Sequence, residues 1–193
     1  MPSTGFLNPS TLFLSNGPFT GGGSPQIGAG WGSILSGTIF ASDDGYYGAS
    51  TAGPSGPTLY TGFIGASNYG VSLPSGSTID GVEVRIEAAD SGGVGSPGII
   101  NFVALLDNGS LLGTAKNPGT SVTTTDAFYT FGNSGDTWSA SLTESKVEET
   151  TFGAFMQMSS TGSNNHRVDV IQINVHYTEN AASNLFVTSF GFF

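Results

Sequence analysis

The stretch "TIDGVEVRIEA" sets the terms for this chain. Val82, Val84, Ile86 and Ala88 alternate with Glu83, Arg85 and Glu87. A period of two sends successive side chains to opposite faces of a strand, so one face here is predicted to be buried and the other wet. "HRVDVIQINVHYT" repeats the pattern later in the chain. Ile171, Ile173, Val175 and Tyr177 share one face; Gln172, Asn174 and His176 share the other. Asp169 falls on the apolar side of that strand, and a buried carboxylate needs a partner. Capping backbone N–H groups, or pairing with an arginine, accounts for it more simply than catalysis does.

The remaining segments read the same way. "PGIINFVALLDNGSLLGTAK" is predicted to be a hairpin, because Asn108-Gly109 suits a two-residue type I′ turn. "WGSILSGTIFASDD" offers a first strand over residues 34–41, and residues 50–58 read as loop. "TTDAFYTFGNSGDTW" gives a strand and a turn. A short helical segment over 143–149 leads into a strand with Phe152, Ala154, Met156 and Met158 on one side. Strands recur at short spacing, Gly, Ser, Thr and Asn separate them, and no long helix intervenes. The expected fold is all-β: an antiparallel two-sheet sandwich of jelly-roll or Greek-key type. At 37% apolar residues the chain is too hydrophobic to stay disordered. Three parts are expected. Residues 1–30 form an extended arm with one short strand, since "TGGGSPQIGAG" cannot hold a helix. Residues 31–178 form the sandwich, and residues 179–193 a Phe-rich tail.

Charge narrows the function. The net charge is −10 and the cations are Arg85, Lys116, Lys146 and Arg167. Nucleic-acid affinity grows with the number of phosphates that Lys and Arg neutralise, so no nucleic-acid partner is expected. An anionic membrane surface is disfavoured for the same reason. There is no cysteine, hence no disulfide and no thiolate metal site. The start, "MPSTGFLNPSTLFLSNGP", has neither a basic segment nor a long apolar run and does not read as a secretory signal. No stretch approaches the length of a membrane span.

Chemical motifs are sparse. "GVGSPG" at 93–98 satisfies the dinucleotide-binding spacing, but that loop must open a helix. Here Pro97 leads into another apolar strand, so a hairpin loop is expected. His166 reads as part of a polar turn and His176 lies on the non-core face of its strand, which gives no catalytic triad. Asp43 and Asp44 could contribute to a calcium site, yet the spacing of an EF-hand is missing. "NGS" at 108–110 is a formal glycosylation sequon. No catalytic residue, metal ligand or cofactor is assigned, and no enzyme is expected.

Three stretches together carry a family resemblance. "SNYGVSLPSGSTIDGVEVRIEA" resembles the "FGFSIPSGATIDGIEVEVE" segment of a β-sandwich module common in tailed-bacteriophage structural proteins. "YTFGNSGDTWSASLTESKVEETTFG" and "VDVIQINVHYT" are similar to later segments of that module, and Trp31 with "FASDDGYYGAS" to its early region. The resemblance covers about residues 31–178 and departs at Asn133 and Thr137, where the family tends to have Gly and Leu. The matching residues are structural in character: the Pro74-Ser75-Gly76 turn, and Trp138 and Phe152 as core. They carry no enzymatic role. The resemblance implies a virion component made in the bacterial host cytoplasm.

The two ends then suggest how such a component would assemble. Phe186, Phe190, Phe192 and Phe193 crowd the last residues, and four exposed phenylalanines would mark an interface. The expectation is that the tail packs on the N-terminal arm or on a neighbouring subunit, in a homotrimer. The expected interface residues are Phe6, Leu7, Leu12, Phe13, Leu14, Leu185, Phe186, Phe190, Phe192 and Phe193. The leading expectation is a capsid decoration (cement) protein on the outer head surface, with the major capsid protein as its partner. The alternative is a tail, collar or fibre component, including a host-receptor or glycan-binding module. Tyr46, Tyr47, Tyr60 and Tyr69 would then be candidates for stacking on sugars.

Overall fold

One strand of 27 residues, β13 (Phe152–Thr178), is shared by both layers of the fold. The structure is a computed structural model. It describes residues 1–15, 27–29, 31–33, 39–51, 58–90, 94–95 and 97–180. The other strands are β1 (Thr11–Ser15), β2 (Ile27–Ala29), β3 (Gly32–Ser33), β4 (Tyr47–Thr51), β5 (Thr58–Thr61), β6 (Phe63–Ser67), β7 (Thr78–Asp90), β8 (Val94–Gly95), β9 (Ile99–Asp107), β10 (Ser110–Lys116), β11 (Thr120–Ser121) and β12 (Ala127–Gly132). The one helix among the described residues is α1 (Glu144–Glu148). The all-β antiparallel sandwich is therefore observed. Among the described pairings only β2 with β5 is parallel.

β13 belongs to both layers. Its last part, residues 164–178, pairs with β7 on one side and with β4 on the other; β12 continues the layer beyond β7 and β3 beyond β4. This is the first layer. Its early part, residues 152–161, lies between β9 and the β5–β6 run, with β10 and β11 beyond β9 and β1 beyond β6. This is the second layer. β8 pairs with β13 at Gly162 and Ser163, where the strand passes from one layer to the other.

The period of two fills the space between the layers. Val82, Val84, Ile86 and Ala88 meet Ile64, Ala66, Val103, Leu105, Ala154, Met156, Met158, Ile171, Ile173 and Val175 there, all fully buried. The buried aromatics keep their polar ends paired: Trp31 Nε1 donates to Gly62 O at 2.8 Å, Trp138 Nε1 to Val82 O at 2.8 Å, and Tyr69 Oη to Ile171 O at 3.0 Å. α1 is capped by Thr143, whose hydroxyl accepts from Lys146 N–H. Its acids hold the turn before β7: Glu148 accepts from Leu73 N–H at 2.7 Å and Glu144 from Gly76 N–H at 2.5 Å. No helix of the described residues is long and apolar enough to cross a membrane.

Several expectations need correction. Ser50, Thr51 and Thr58, expected in a loop, are strand residues of β4 and β5. Of the first strand expected over 34–41, residues 34–38 lie outside the described residues, and Phe40 makes a single bridge to Val170. His166 is not in a turn. It lies within β13 and is wholly buried, because the polar run around it pairs with β4 and β7.

Candidate functional site

The outward face of the first layer is built from the polar halves of β7 and β13. Their register sets Gln172 opposite Arg85 and Asn174 opposite Glu83. Arg85 donates to Gln172 Oε1 from Nε at 2.9 Å and from Nη2 at 2.5 Å. Gln172 in turn donates to Asn8 Oδ1 at 2.6 Å. Glu83 Oε2 accepts from Asn174 at 2.9 Å and meets His176 Nε2 at 2.9 Å. The Arg85 guanidinium carbon lies 3.8 Å from the Phe6 ring centre and 4.3 Å from that of Phe128, within cation–π range. Phe128 is 43% exposed. The face thus carries an exposed aromatic ring beside a hydrogen-bonded row in which Gln172 and Asn174 are themselves buried.

At the edge of this face lies an acidic corner. β13 is bulged between Val168 and Val170, and the inserted residue is Asp169. A bulge re-aims a side chain. The Asp169 carboxylate accepts from the backbone N–H groups of Asp43 and Asp44 at 3.1 and 3.3 Å, so the capping role expected for it is what the structure has. Burial pushes its pKa up to about 6, and the Glu87 and Asp43 carboxylates add to the shift. Asp126 accepts from the Tyr46 hydroxyl at 2.5 Å, and that bond with burial raises the phenol well above its ordinary value. Among the described residues no group of three or more His, Asp or Glu side chains is arranged to hold a metal ion, Asp43 and Asp44 included.

A second polar cluster is buried where β13 changes layers. Thr51 and Ser160 hydroxyls are 2.7 Å apart, and His166 Nε2 lies 3.4 Å from each. Asp90 is the cross-strand neighbour of His166. The residue types of a catalytic triad therefore come together, but not its geometry. In a triad the acid bonds the imidazole Nδ1–H. Here Asp90 Oδ2 accepts from Gly98 N–H instead, and His166 Nδ1 has no hydrogen-bond partner. Gly98 is required at this point, since a Cβ there would stand 2.8 Å from His166 Nδ1. Burial pushes the imidazole pKa down, with the Asp90 carboxylate opposing in part. Ser160 is 1% exposed, which keeps substrate from its hydroxyl.

The residues expected at an interface are distributed as follows. Leu7 and Leu12 are half-buried against the main core, and Phe13 is half-buried against a second cluster of Phe63, Phe102, Ala104, Leu106 and Phe155. Phe6 lies on Arg85, and Leu14 is 43% exposed. Leu12 and Phe13 line an open cleft of about 430 Å³ with Asn68, Asn108 and Thr151. Leu185, Phe186, Phe190, Phe192 and Phe193 lie outside the described residues. Of the tyrosines, Tyr46 and Tyr69 are buried, which removes them as stacking platforms. The residue that sequence reasoning missed is Phe128. The segment "TTDAFYTFGNSGDTW" reads as a strand and a turn with no face assigned, and nothing local links Phe128 to Phe6 and Arg85.

No family model matches the chain, and no curated protein matches it. Among solved structures, one described as "CBM4 structure and function" is 11% identical, covering 70% of this chain and 87% of that one at a TM-score of 0.39. The CBM22-1 xylan-binding domain from Paenibacillus barcinonensis is 10% identical, covering 88% and 87%, at a TM-score of 0.34. A chain from work on endo-acting O-glycanases of the human gut microbiota is 12% identical, covering 90% and 95%, at a TM-score of 0.35. Likeness at these TM-scores decides nothing about function; the architecture rests on the strands and their register.

Proposed function

We propose that the chain is a non-catalytic binding module that takes a glycan on the outward face of its first layer. Phe128 carries this reading. It is a large, exposed aromatic on a sheet, flanked by side chains already locked by hydrogen bonds. A sugar ring offers a C–H face for an aromatic and a rim of hydroxyls for amides and carboxylates, and preset groups lower the ordering cost of binding. Glu83 and Glu87 on the face, and the net charge of −10, favour a neutral glycan over an acidic one. Calorimetric titration with a panel of neutral and acidic polysaccharides tests this. Phe128→Ala is expected to weaken binding of a neutral glycan about tenfold, or about 1.4 kcal/mol, with the unfolding midpoint unmoved. A chain that binds nothing in the panel, or binds equally well without Phe128, sinks the reading.

A second reading is favoured by the resemblance of residues 31–178 to the phage β-sandwich module. On it the chain is a virion protein, a trimeric capsid decoration whose partner is the major capsid protein and whose place is the capsid surface. Copies of the chain per major capsid protein in the virion separate the two. A ratio near one, or a simple fraction of one, supports the decoration reading. A ratio lower by orders of magnitude leaves the glycan-binding face on a tail or fibre.

A further inference from the structure

Arg85 is fixed from both sides of its strand. Phe6 reaches it over β13 from the N-terminal arm, and Phe128 reaches it from β12, with ring centres 3.8 and 4.3 Å from the guanidinium carbon. Gln172 Oε1 takes the Nε–H and one Nη2–H, and Gln172 is itself anchored on Asn8. An arginine carries five N–H donors, so three remain. Among the described residues these three meet no acceptor, and the guanidinium forms no ion pair, although the chain has 14 acidic residues. Ordering so long a side chain costs rotamer freedom, and here the ordering is complete before any ligand arrives.

An acceptor stands beside these donors. Glu83 and Arg85 are two residues apart on the same face of β7, about 7 Å along the strand. Glu83 Oε2 meets Asn174 and His176, which fixes the carboxylate, while Oε1 makes no hydrogen bond among the described residues. The Glu83 side chain is 24% exposed. Thr130, also exposed, lies opposite Arg85 on β12. Three open polar groups therefore accompany Phe128: the donors of Arg85, the acceptor of Glu83 and the Thr130 hydroxyl. Gln172 and Asn174 are buried and hold the first two in place.

The pairing of a fixed cation with a fixed anion selects among ligands. A carboxylate or sulfate satisfies Arg85 but is repelled by Glu83 and Glu87, its neighbours on the strand face; an ammonium satisfies Glu83 but is repelled by Arg85. A hydroxyl carries no charge and both donates and accepts. Two hydroxyls on adjacent carbons of one ring can divide the work, one accepting from Arg85 and the other donating to Glu83, with the C–H face of that ring on Phe128. We propose that Arg85 and Glu83 are the specificity-determining pair of this face, reading two adjacent hydroxyls of a neutral pyranose. This inference rests on the glycan reading and narrows it. A sugar lacking either hydroxyl leaves a charged group unpaired in the complex, the kind of mismatch that a site built for hydrogen bonding rejects most strongly. Phe6, Asn8 and Gln172 are positioning residues, which act on the sugar through Arg85.

The chain has only two arginines, so a nitrogen-labelled sample gives two side-chain Nε–H signals, with Arg167 as the internal control. Cellohexaose, mannohexaose and maltohexaose are titrated in turn, with hexagalacturonate as the acidic comparison. A neutral hexasaccharide is expected to move the Arg85 signal and leave that of Arg167 in place. In calorimetry with the same sugar, Arg85→Gln and Glu83→Gln are each expected to weaken binding about tenfold. Arg85→Lys is expected to recover only part of the loss, because lysine lacks the planar fork. A neutral sugar that binds with the Arg85 signal unmoved, or with both glutamine variants binding as the parent does, overturns this inference and leaves the glycan reading standing. Hexagalacturonate bound more tightly than every neutral sugar overturns it too, since Arg85 would then be an anion site. Binding of none of the sugars overturns the inference and the glycan reading together. The signal is read on the parent chain, so the test holds even where a variant fails to fold.

Discussion

Asp169 shows how one inserted residue sets a local electrostatic balance. The bulge turns its carboxylate to the backbone N–H groups of Asp43 and Asp44, which stabilise the anion, while burial and the carboxylates of Glu87 and Asp43 oppose it. The net effect is a pKa raised to about 6 from the ordinary 3.8. The folded chain therefore holds this proton more tightly than the unfolded chain does. Between pH 6 and 4 that difference adds stability as the pH falls, on the order of 1–2 kcal/mol after allowance for solvent screening. His166 acts in the opposite sense. Its pKa is lowered by burial, so below the ordinary imidazole range the unfolded chain takes up a proton that the folded chain refuses, and stability falls. Urea unfolding from pH 7.5 to pH 4.5 resolves the two. Asp169→Asn is expected to fall in stability more steeply on acidification than the parent. An unchanged slope would show that the carboxyl does not titrate in this window. Of this site, the capping role of Asp169 was legible in the sequence because it follows from a single carboxylate on an apolar face. The contact of Arg85 with Phe6 and Phe128 was not, because its members come from three distant segments brought together only by the sheet.

At the scale of elements, the β9–β10 hairpin is the clearest case of local chemistry deciding structure. Asn108 and Gly109 have φ of 46° and 75°, and Asp107 pairs with Ser110 as a two-residue turn requires. A side chain at Gly109 meets the left-handed penalty, so Gly109→Ala is expected to cost about 1–2 kcal/mol in urea unfolding with an unchanged denaturant slope. A loss near zero would mean that the turn relaxes to another type. This hairpin, β7, α1 and the late part of β13 were readable because turn residues, capping residues and period-two faces are local signals. β5 and β6 were not. In "TLYTGFIGAS" all of β6 is buried on both faces, so no alternation marks it, and its glycines look like loop. The polar run Ser159–Asn165 misled in the other direction. It reads as a turn, yet it is strand, because Thr51 and Ser50 of β4 satisfy its polar groups across the ladder.

For the molecule as a whole, the N-terminal fifteen residues close one edge of both layers. Ser3 bridges His176 and Leu7 bridges Ile173 on the free edge of β13 in the first layer, with Thr4 N–H donating to Val175 O at 3.0 Å. The chain then crosses over, and β1 pairs with β6 along the edge of the second layer. Open strand edges invite pairing with another copy, and this arm covers the edges of β13 and β6 that would offer it. Leu7, Leu12 and Phe13 are each half-buried. Together they contribute on the order of 3–5 kcal/mol if half of a full burial is taken for each. Deleting residues 1–15 is expected to lower the unfolding free energy by about that amount and to produce dimers through the bared edges of β6 and β13, seen by sedimentation. A synthetic peptide of residues 1–15 added in trans is expected to restore the mass of the full chain by re-adding the strand. A shortened chain that keeps the parent's association state and stability would show that these residues only lie on the surface. Dimers that persist with the peptide bound would place the association elsewhere than on these two edges.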